Sequence, residues 1–82
     1  MYTYTPKGVC SVQINFDIVD NTVSNVSFKG GCEGNLKGIS KLIEGMNVDE
    51  AIERLNGITC GSKNTSCPDQ LSKALQNIKD QK

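Results

Sequence analysis

Two segments near the start of the chain alternate between apolar and polar residues, the pattern of half-buried β-strands. The first covers residues 9–19, and its apolar face comprises Cys10, Val12, Ile14, Phe16 and Ile18. Asp20-Asn21 is a turn signal, and a second alternating segment follows over residues 23–29. We therefore predict an antiparallel hairpin, to which residues 2–5 can add a short third strand.

After Gly30-Gly31 the apolar spacing becomes that of amphipathic helices. The three predicted apolar stripes are Leu36, Ile39, Leu42 and Ile43; then Val48, Ala51, Ile52 and Leu55; then Leu71, Ala74, Leu75 and Ile78. Asn47 is placed to cap the second helix, and the third is expected over residues 68–79. The pattern predicts one α+β domain over residues 1–82, a small antiparallel sheet of two to three strands followed by three helices packed on one face.

The length and charge of the chain limit the classes of function that it can have. The single core of an 82-residue chain provides little stability, so a bound metal or oligomerisation is often needed. Nine basic and nine acidic side chains give a formal charge of zero. Because no basic field is available to hold a phosphate backbone, the composition argues against nucleic-acid binding.

The first residues are polar and lack the apolar core of a signal peptide, and no apolar run is long enough to cross a bilayer. We therefore expect a protein of the cytoplasm with no membrane association. In that compartment thiols stay reduced. Four cysteines then point to metal binding or thiol redox chemistry. The chain has no histidine, which excludes imidazole acid–base catalysis and metal sites built on histidine.

Each cysteine falls at a predicted element boundary or beside glycine. Cys10 lies at the start of the main strand, Cys32 between the second strand and the first helix, Cys60 in a loop and Cys67 before Pro68. Cys10 taken alone is typical of a small buried hydrophobic residue, and no Cys-x-x-Cys pair is present. The shared positions in loops and at helix starts nevertheless predict that the four thiols converge on one site.

The position of Cys67 is the most specific of the four. Proline favours the first helical position, which predicts Cys67 as the N-cap of the third helix; capping by Ser66 with Asp69 is the alternative. In either case the sulfur lies in the first turn. Cys32 has a similar place before the first helix. The positive end of a helix favours the thiolate, the form that binds metals and attacks electrophiles.

The segment Thr65-Ser66-Cys67-Pro68-Asp69 resembles the signature of the TSCPD domain family. The agreement extends to Gly30-Gly31-Cys32-Glu33-Gly34-Asn35-Leu36, Leu42-Ile43-Glu44-Gly45-Met46 and Leu55-Asn56-Gly57-Ile58-Thr59-Cys60-Gly61. The chain resembles the stand-alone, four-cysteine branch. The family's domain also occurs at the C-terminal end of cobalamin-dependent class II ribonucleotide reductases. The resemblance implies a link to deoxynucleotide synthesis and a protein partner such as that reductase. The chain is too short to hold the reductase barrel itself.

A second similarity is to the U-type iron–sulfur cluster assembly scaffold. The matching places are Gly31-Cys32, Glu44-Gly45, Asp49-Glu50-Ala51 and Cys67 with Ala74-Leu75, and Cys10 can stand for the first ligand. Val12 stands where the scaffold has an aspartate, and Ser66 where it has a histidine. Cys60 can replace one of these.

Three hypotheses follow from these residues. In the first, Cys10, Cys32, Cys60 and Cys67 bind one tetrahedral metal ion, zinc above all. In the second, Cys60 and Cys67 cycle between dithiol and disulfide, with Cys67 attacking and Cys60 resolving. In the third, the same four cysteines hold an iron–sulfur cluster for assembly or transfer.

Overall fold

The computed structural model describes residues 2–6, 8, 11–31, 33–59, 61 and 64–80. The strands and helices follow one another as β1 (Tyr2–Tyr4), β2 (Ser11–Val19), β3 (Thr22–Gly30), α1 (Glu33–Ile43), α2 (Val48–Leu55) and α3 (Cys67–Asp80). Three strands therefore precede three helices, which confirms the predicted α+β class. No described helix combines the length and the apolar character needed to cross a membrane.

The strands form one antiparallel sheet in the order β1-β2-β3. Tyr4 lies opposite Ile14, and Ser11 lies opposite Gly30. The end of β1, the start of β2 and the end of β3 are therefore at the same end of the sheet, which we call the cysteine end because Cys10 and Cys32 adjoin it in sequence. The opposite end holds the predicted Asp20-Asn21 turn, whose residues both have positive φ, 50° and 63°.

A β-bulge interrupts the pairing of β2 with β3. Asn15 lies opposite Ser27, but Asp17 lies opposite Ser24, so β3 contains one residue more than β2 over this stretch. Asn25 adopts a φ of 53°. Asparagine is one of the few residues that tolerates this left-handed conformation.

The bulge shifts the apolar phase of β3. Val23 and Val26 are both buried, although they are three residues apart. A regular strand would place them on opposite faces, because its side chains alternate. Val26 and Phe28 lie on the inner face as predicted, and the bulge adds Val23 to it.

The helices cover one face of the sheet, as predicted. α1 packs on β3, and α2 packs on α3. The core combines both layers and contains Ile14, Phe16, Val23, Val26, Ile43, Val48, Ala51, Leu55, Leu71, Ala74 and Leu75. Tyr2 stacks on Phe16 at a ring-centroid distance of 5.5 Å and extends this core under β1.

The predicted apolar stripe of α1 is wrong at one position. Leu36 and Ile43 are buried and Ile39 is half-buried, but Leu42 is 79% exposed. Leu36 and Ile43 are seven residues apart and point in nearly the same direction, while Leu42 lies about 120° away from Leu36 at 100° per residue. α1 packs mainly on the edge strand β3, and Leu42 points away from this contact.

The predicted cap of α2 is confirmed. The Asn47 side-chain oxygen accepts hydrogen bonds from the backbone N–H groups of Asp49 at 2.9 Å and Glu50 at 3.4 Å. Its apolar stripe is also as predicted, with Val48 and Leu55 buried at its two ends. The Val48 N–H donates to the Asn21 carbonyl at 2.9 Å, so α2 begins at the hairpin end of the sheet, and the chain after it is bonded to the start of α3 through Gly57 and Asp69.

Candidate functional site

The N-terminus of α3 is capped by Ser66. Its hydroxyl accepts a hydrogen bond from the Asp69 N–H at 3.1 Å and donates one to the Ile58 carbonyl at 2.7 Å. The prediction that Cys67 is the N-cap is therefore wrong, and the alternative with Ser66 and Asp69 is correct. A hydroxyl oxygen accepts hydrogen bonds more strongly than a thiol, which explains the choice between the two adjacent residues. Cys67 is instead the first residue of the helix.

Asp69 ties the start of α3 to the segment that follows α2. Its carboxylate accepts hydrogen bonds from the Gly57 N–H at 2.7 Å, the Thr65 hydroxyl at 2.5 Å and the Lys73 amine at 2.8 Å. Asp69 itself is 1% exposed. Burial acts to raise the pKa of this carboxyl, but the bonds from Lys73, Thr65 and Gly57 outweigh it and hold the pKa below its usual range.

Gln70 connects the same network to the sheet. Its amide nitrogen donates to the Thr65 hydroxyl at 3.0 Å, and its amide oxygen accepts from the Tyr4 hydroxyl at 3.3 Å. Gly8 also lies against this region, since a Cβ atom built on it would be 3.6 Å from the Thr65 methyl group. Gly8 thus lies beside the start of α3.

The described neighbours of all four cysteines lie at the cysteine end. Ser11 and Gly30, which adjoin the positions of Cys10 and Cys32, are paired across β2 and β3. Gly8 contacts the Thr65 region, and Ile58, two residues before Cys60, is bonded to the residue that precedes Cys67. The tertiary structure therefore brings together four chain segments that are far apart in sequence.

Helix direction adds a common electrostatic feature at this end. α1 begins shortly after β3 ends, and α3 begins where Tyr4, Gly8 and Ile58 meet. The positive ends of two helix dipoles therefore lie at the cysteine end. Such positions stabilise negative charge, including thiolates, by about 0.3–1 kcal/mol each at exposed sites.

A match to a family model identifies the protein family of this chain. The family model described as TSCPD domain matches residues 2–79. The chain belongs to the TSCPD domain family. Searches of curated proteins and of solved structures gave no significant match. The resemblance inferred from the sequence signature is confirmed at the level of the family.

The signature of this TSCPD domain has a clear structural role. Thr65 donates to Asp69 and accepts from Gln70, while Ser66 caps the helix and holds Ile58. These bonds fix the backbone on both sides of Cys67, which is 9% exposed. The burial of Asp69 and Gln70 in this network is not apparent from the pattern of residues along the chain. Polar residues at successive positions in the first turn of α3 are the sequence signal that could have indicated this burial.

The predicted metal site is only partly within the described residues. Cys10, Cys32 and Cys60 lie outside them, and Cys67 lies at the first position of α3. Within the described ranges, which contain one of the four cysteines, no group of three or more histidine, cysteine, aspartate or glutamate side chains could hold a metal ion. The four-cysteine site remains a prediction that the arrangement of the neighbouring segments supports.

Proposed function

We propose that this TSCPD domain is a small metal-binding accessory module in which Cys10, Cys32, Cys60 and Cys67 bind one zinc ion. The observation that supports the proposal is that their described neighbours lie at the same end of the sheet, where Ser11 pairs with Gly30, Ser66 bonds to Ile58 and Gly8 lies beside Thr65. The donor set fits zinc, because four thiolates form a closed tetrahedral site without histidine.

Zinc would also meet a structural need of the fold. The sheet has three strands, and the core is formed by short elements. Binding of structural zinc contributes on the order of 10 kcal/mol of apparent folding free energy near neutral pH, more than the usual stability margin of a domain this small. The bound metal would join the four cysteine-containing segments directly, in addition to the contacts made by the residues beside them.

The family resemblance extends the proposal to a pathway. We propose that the module serves ribonucleotide reduction or a related step of deoxynucleotide synthesis, through contact with a ribonucleotide reductase or another protein partner. The chain itself would act in binding and not as the reductase. The proposal of an accessory role rests on the resemblance alone, so it is separate from the metal site.

A second candidate function is thiol redox chemistry by Cys60 and Cys67. One observation favours it: the Ile58 carbonyl and the Gly57 N–H are bonded to Ser66 and Asp69, so the chain just before Cys60 is fixed against the start of α3. Cys67 would attack the disulfide of a partner protein, and Cys60 would then resolve the mixed disulfide, leaving a Cys60–Cys67 disulfide and a reduced partner.

The deciding experiment is elemental analysis of protein purified without oxygen, with Cys10→Ser, Cys32→Ser, Cys60→Ser and Cys67→Ser measured in parallel. We expect one zinc per chain in a colourless parent and loss of bound zinc in each variant. A chelator should unfold the parent. Leu36→Ala is the control, because it removes core packing without touching a thiol and should retain zinc.

Other results select the alternatives. A brown protein with visible absorption that contains iron and sulfide would favour an iron–sulfur cluster on the same cysteines. A metal-free parent that reversibly loses two thiols on mild oxidation would favour the redox function. If all four serine variants bind metal and fold like the parent, the common site is refuted.

A further inference from the structure

An open cavity of about 490 Å³ lies between β3 and α1, away from the network at the start of α3. Its residues are Val26, Ser27, Phe28, Leu36, Lys37, Ser40, Lys41 and Glu44. Val26 and Phe28 point toward the helices, whereas Ser27 is exposed on the opposite face. β3 is an edge strand of the sheet, and the cavity runs along its residues 26–28 beside α1. It is therefore a groove along an open sheet edge.

The hairpin half of this edge is already paired within the chain. The Val23 N–H donates to the Met46 carbonyl at 2.8 Å, and the Gly45 N–H donates to the Val23 carbonyl at 2.7 Å. The bulge then presents the Asn25 N–H to the Glu44 carboxylate at 2.9 Å. The segment after α1 thus adds itself to the first part of β3 as a strand would.

The other half of the edge, residues 26–30, is open in the described part of the chain. β3 is the last strand in the sheet, and no described segment pairs with its outer edge beyond Asn25. An unpaired strand edge offers a row of backbone N–H and C=O groups to another chain. The same strand therefore has one half closed by its own chain and one half available.

The walls of the groove define the partner's chemistry. Its floor is apolar, because Val26 and Leu36 are buried and Phe28 is half-buried. Its rim carries Lys37 and Lys41, which are exposed and lie one helical turn apart on α1. An extended strand that carries both apolar side chains and carboxylates on the face toward α1 would match both features, because every second side chain of a strand lies on the same face.

We propose that the groove between residues 26–30 of β3 and α1 binds an extended acidic segment of a partner protein by adding it to the sheet as a fourth strand. A second copy of this chain fits poorly, because pairing two β3 edges about a two-fold axis would bring both copies' Lys37 and Lys41 side chains together. Like charges in such proximity oppose association. The proposal is independent of the cysteine site and of any bound metal.

The test uses a short capped peptide in which every second residue is threonine and the positions between carry valine and glutamate in turn, so that both face α1. It is titrated into the isotope-labelled full chain at low salt. We expect amide shifts confined to residues 26–30 and α1, and slower hydrogen exchange at the open edge. A peptide with lysine in place of glutamate should bind at least tenfold more weakly. A peptide with N-methyl groups along one edge should lose roughly tenfold, because its backbone donors are removed.

Charge-reversal variants test whether Lys37 and Lys41 attract the acidic peptide. Lys37→Glu should weaken the acidic peptide by roughly threefold, and Lys37→Glu with Lys41→Glu should favour the lysine peptide instead. Lys79→Glu makes the same charge change on α3 and should leave the affinity unchanged. Equal binding of both peptides, full binding by the N-methylated peptide or shifts outside the groove would overturn the proposal. Self-association through β3, or no binding of either peptide, would also overturn it, the latter indicating that the lysines only protect the edge.

Discussion

Replacement of Asp69 by asparagine should destabilise this domain far more than an exposed aspartate replacement does. Asparagine has the same shape, and its oxygen can keep the bond from the Gly57 N–H. Its NH₂ group would then face the Thr65 hydroxyl and the Lys73 amine, neither of which would donate to it as they do to the carboxylate. The variant therefore exchanges a charged acceptor for a donor at a buried site.

The magnitude follows from the burial of each partner. Lys73 is 51% exposed in its side chain, so its ion pair is screened by solvent and contributes less than about 1 kcal/mol. The loss of the buried, charge-assisted bond from Thr65 dominates, and such bonds contribute about 1.5–3 kcal/mol. We expect a total of about 2 kcal/mol, which corresponds to a fall of roughly 10 °C in Tm for a domain of this size.

Urea denaturation at neutral pH measures this change, with parent and variant in the same metal-loaded state. Asp49→Asn is the matched control, since Asp49 is an exposed first-turn aspartate of α2 paired with Lys79. It should cost about 0.5 kcal/mol or less. If Asp69→Asn is no more destabilising than Asp49→Asn, the reasoning from the buried network is refuted.

The pH dependence gives an independent check. The pKa of Asp69 is lowered in the folded protein by its three donors, against the opposing effect of burial. A lowered folded pKa adds stability that is fully present above the unfolded value of about 3.9 and is lost as pH falls through the folded pKa. The difference in stability between parent and Asp69→Asn should therefore be constant near neutrality and narrow below about pH 4. A difference that grows in acid would contradict this account.

Two further predictions test the cap and the helix phase. Ser66→Ala removes both the cap of α3 and the bond to Ile58, so we expect a loss of about 1–2 kcal/mol in urea denaturation and faster labelling of Cys67 by a thiol reagent; unchanged labelling would show that the cap does not hold Cys67 in place. Leu36→Ala should cost about 2–5 kcal/mol and Leu42→Ala less than about 0.5 kcal/mol, because one side chain is buried and the other exposed. Similar losses of stability from both substitutions in thermal denaturation would contradict the observed orientation of α1, with Leu36 toward the core and Leu42 toward solvent.

Local sequence signals determined much of the fold. The two-residue period over β2 and the Asp20-Asn21 turn predicted the hairpin, since alternation and positive-φ turn residues act within a few positions. Asn47 predicted the start of α2 for the same reason, because its bonds reach only Asp49 and Glu50. The Thr-Ser-Cys-Pro-Asp signature also indicated the family, which the match over residues 2–79 confirms.

Tertiary contacts decided the remainder. The exposure of Leu42 depends on how much of α1 the edge strand can cover, and the roles of Asp69 and Gln70 depend on Gly57 and Tyr4, which are distant in sequence. Spacing along the chain could not reveal these partners, because they meet only when the helices close over the sheet. The sequence thus specified the elements, while packing determined which segments lie at the cysteine end.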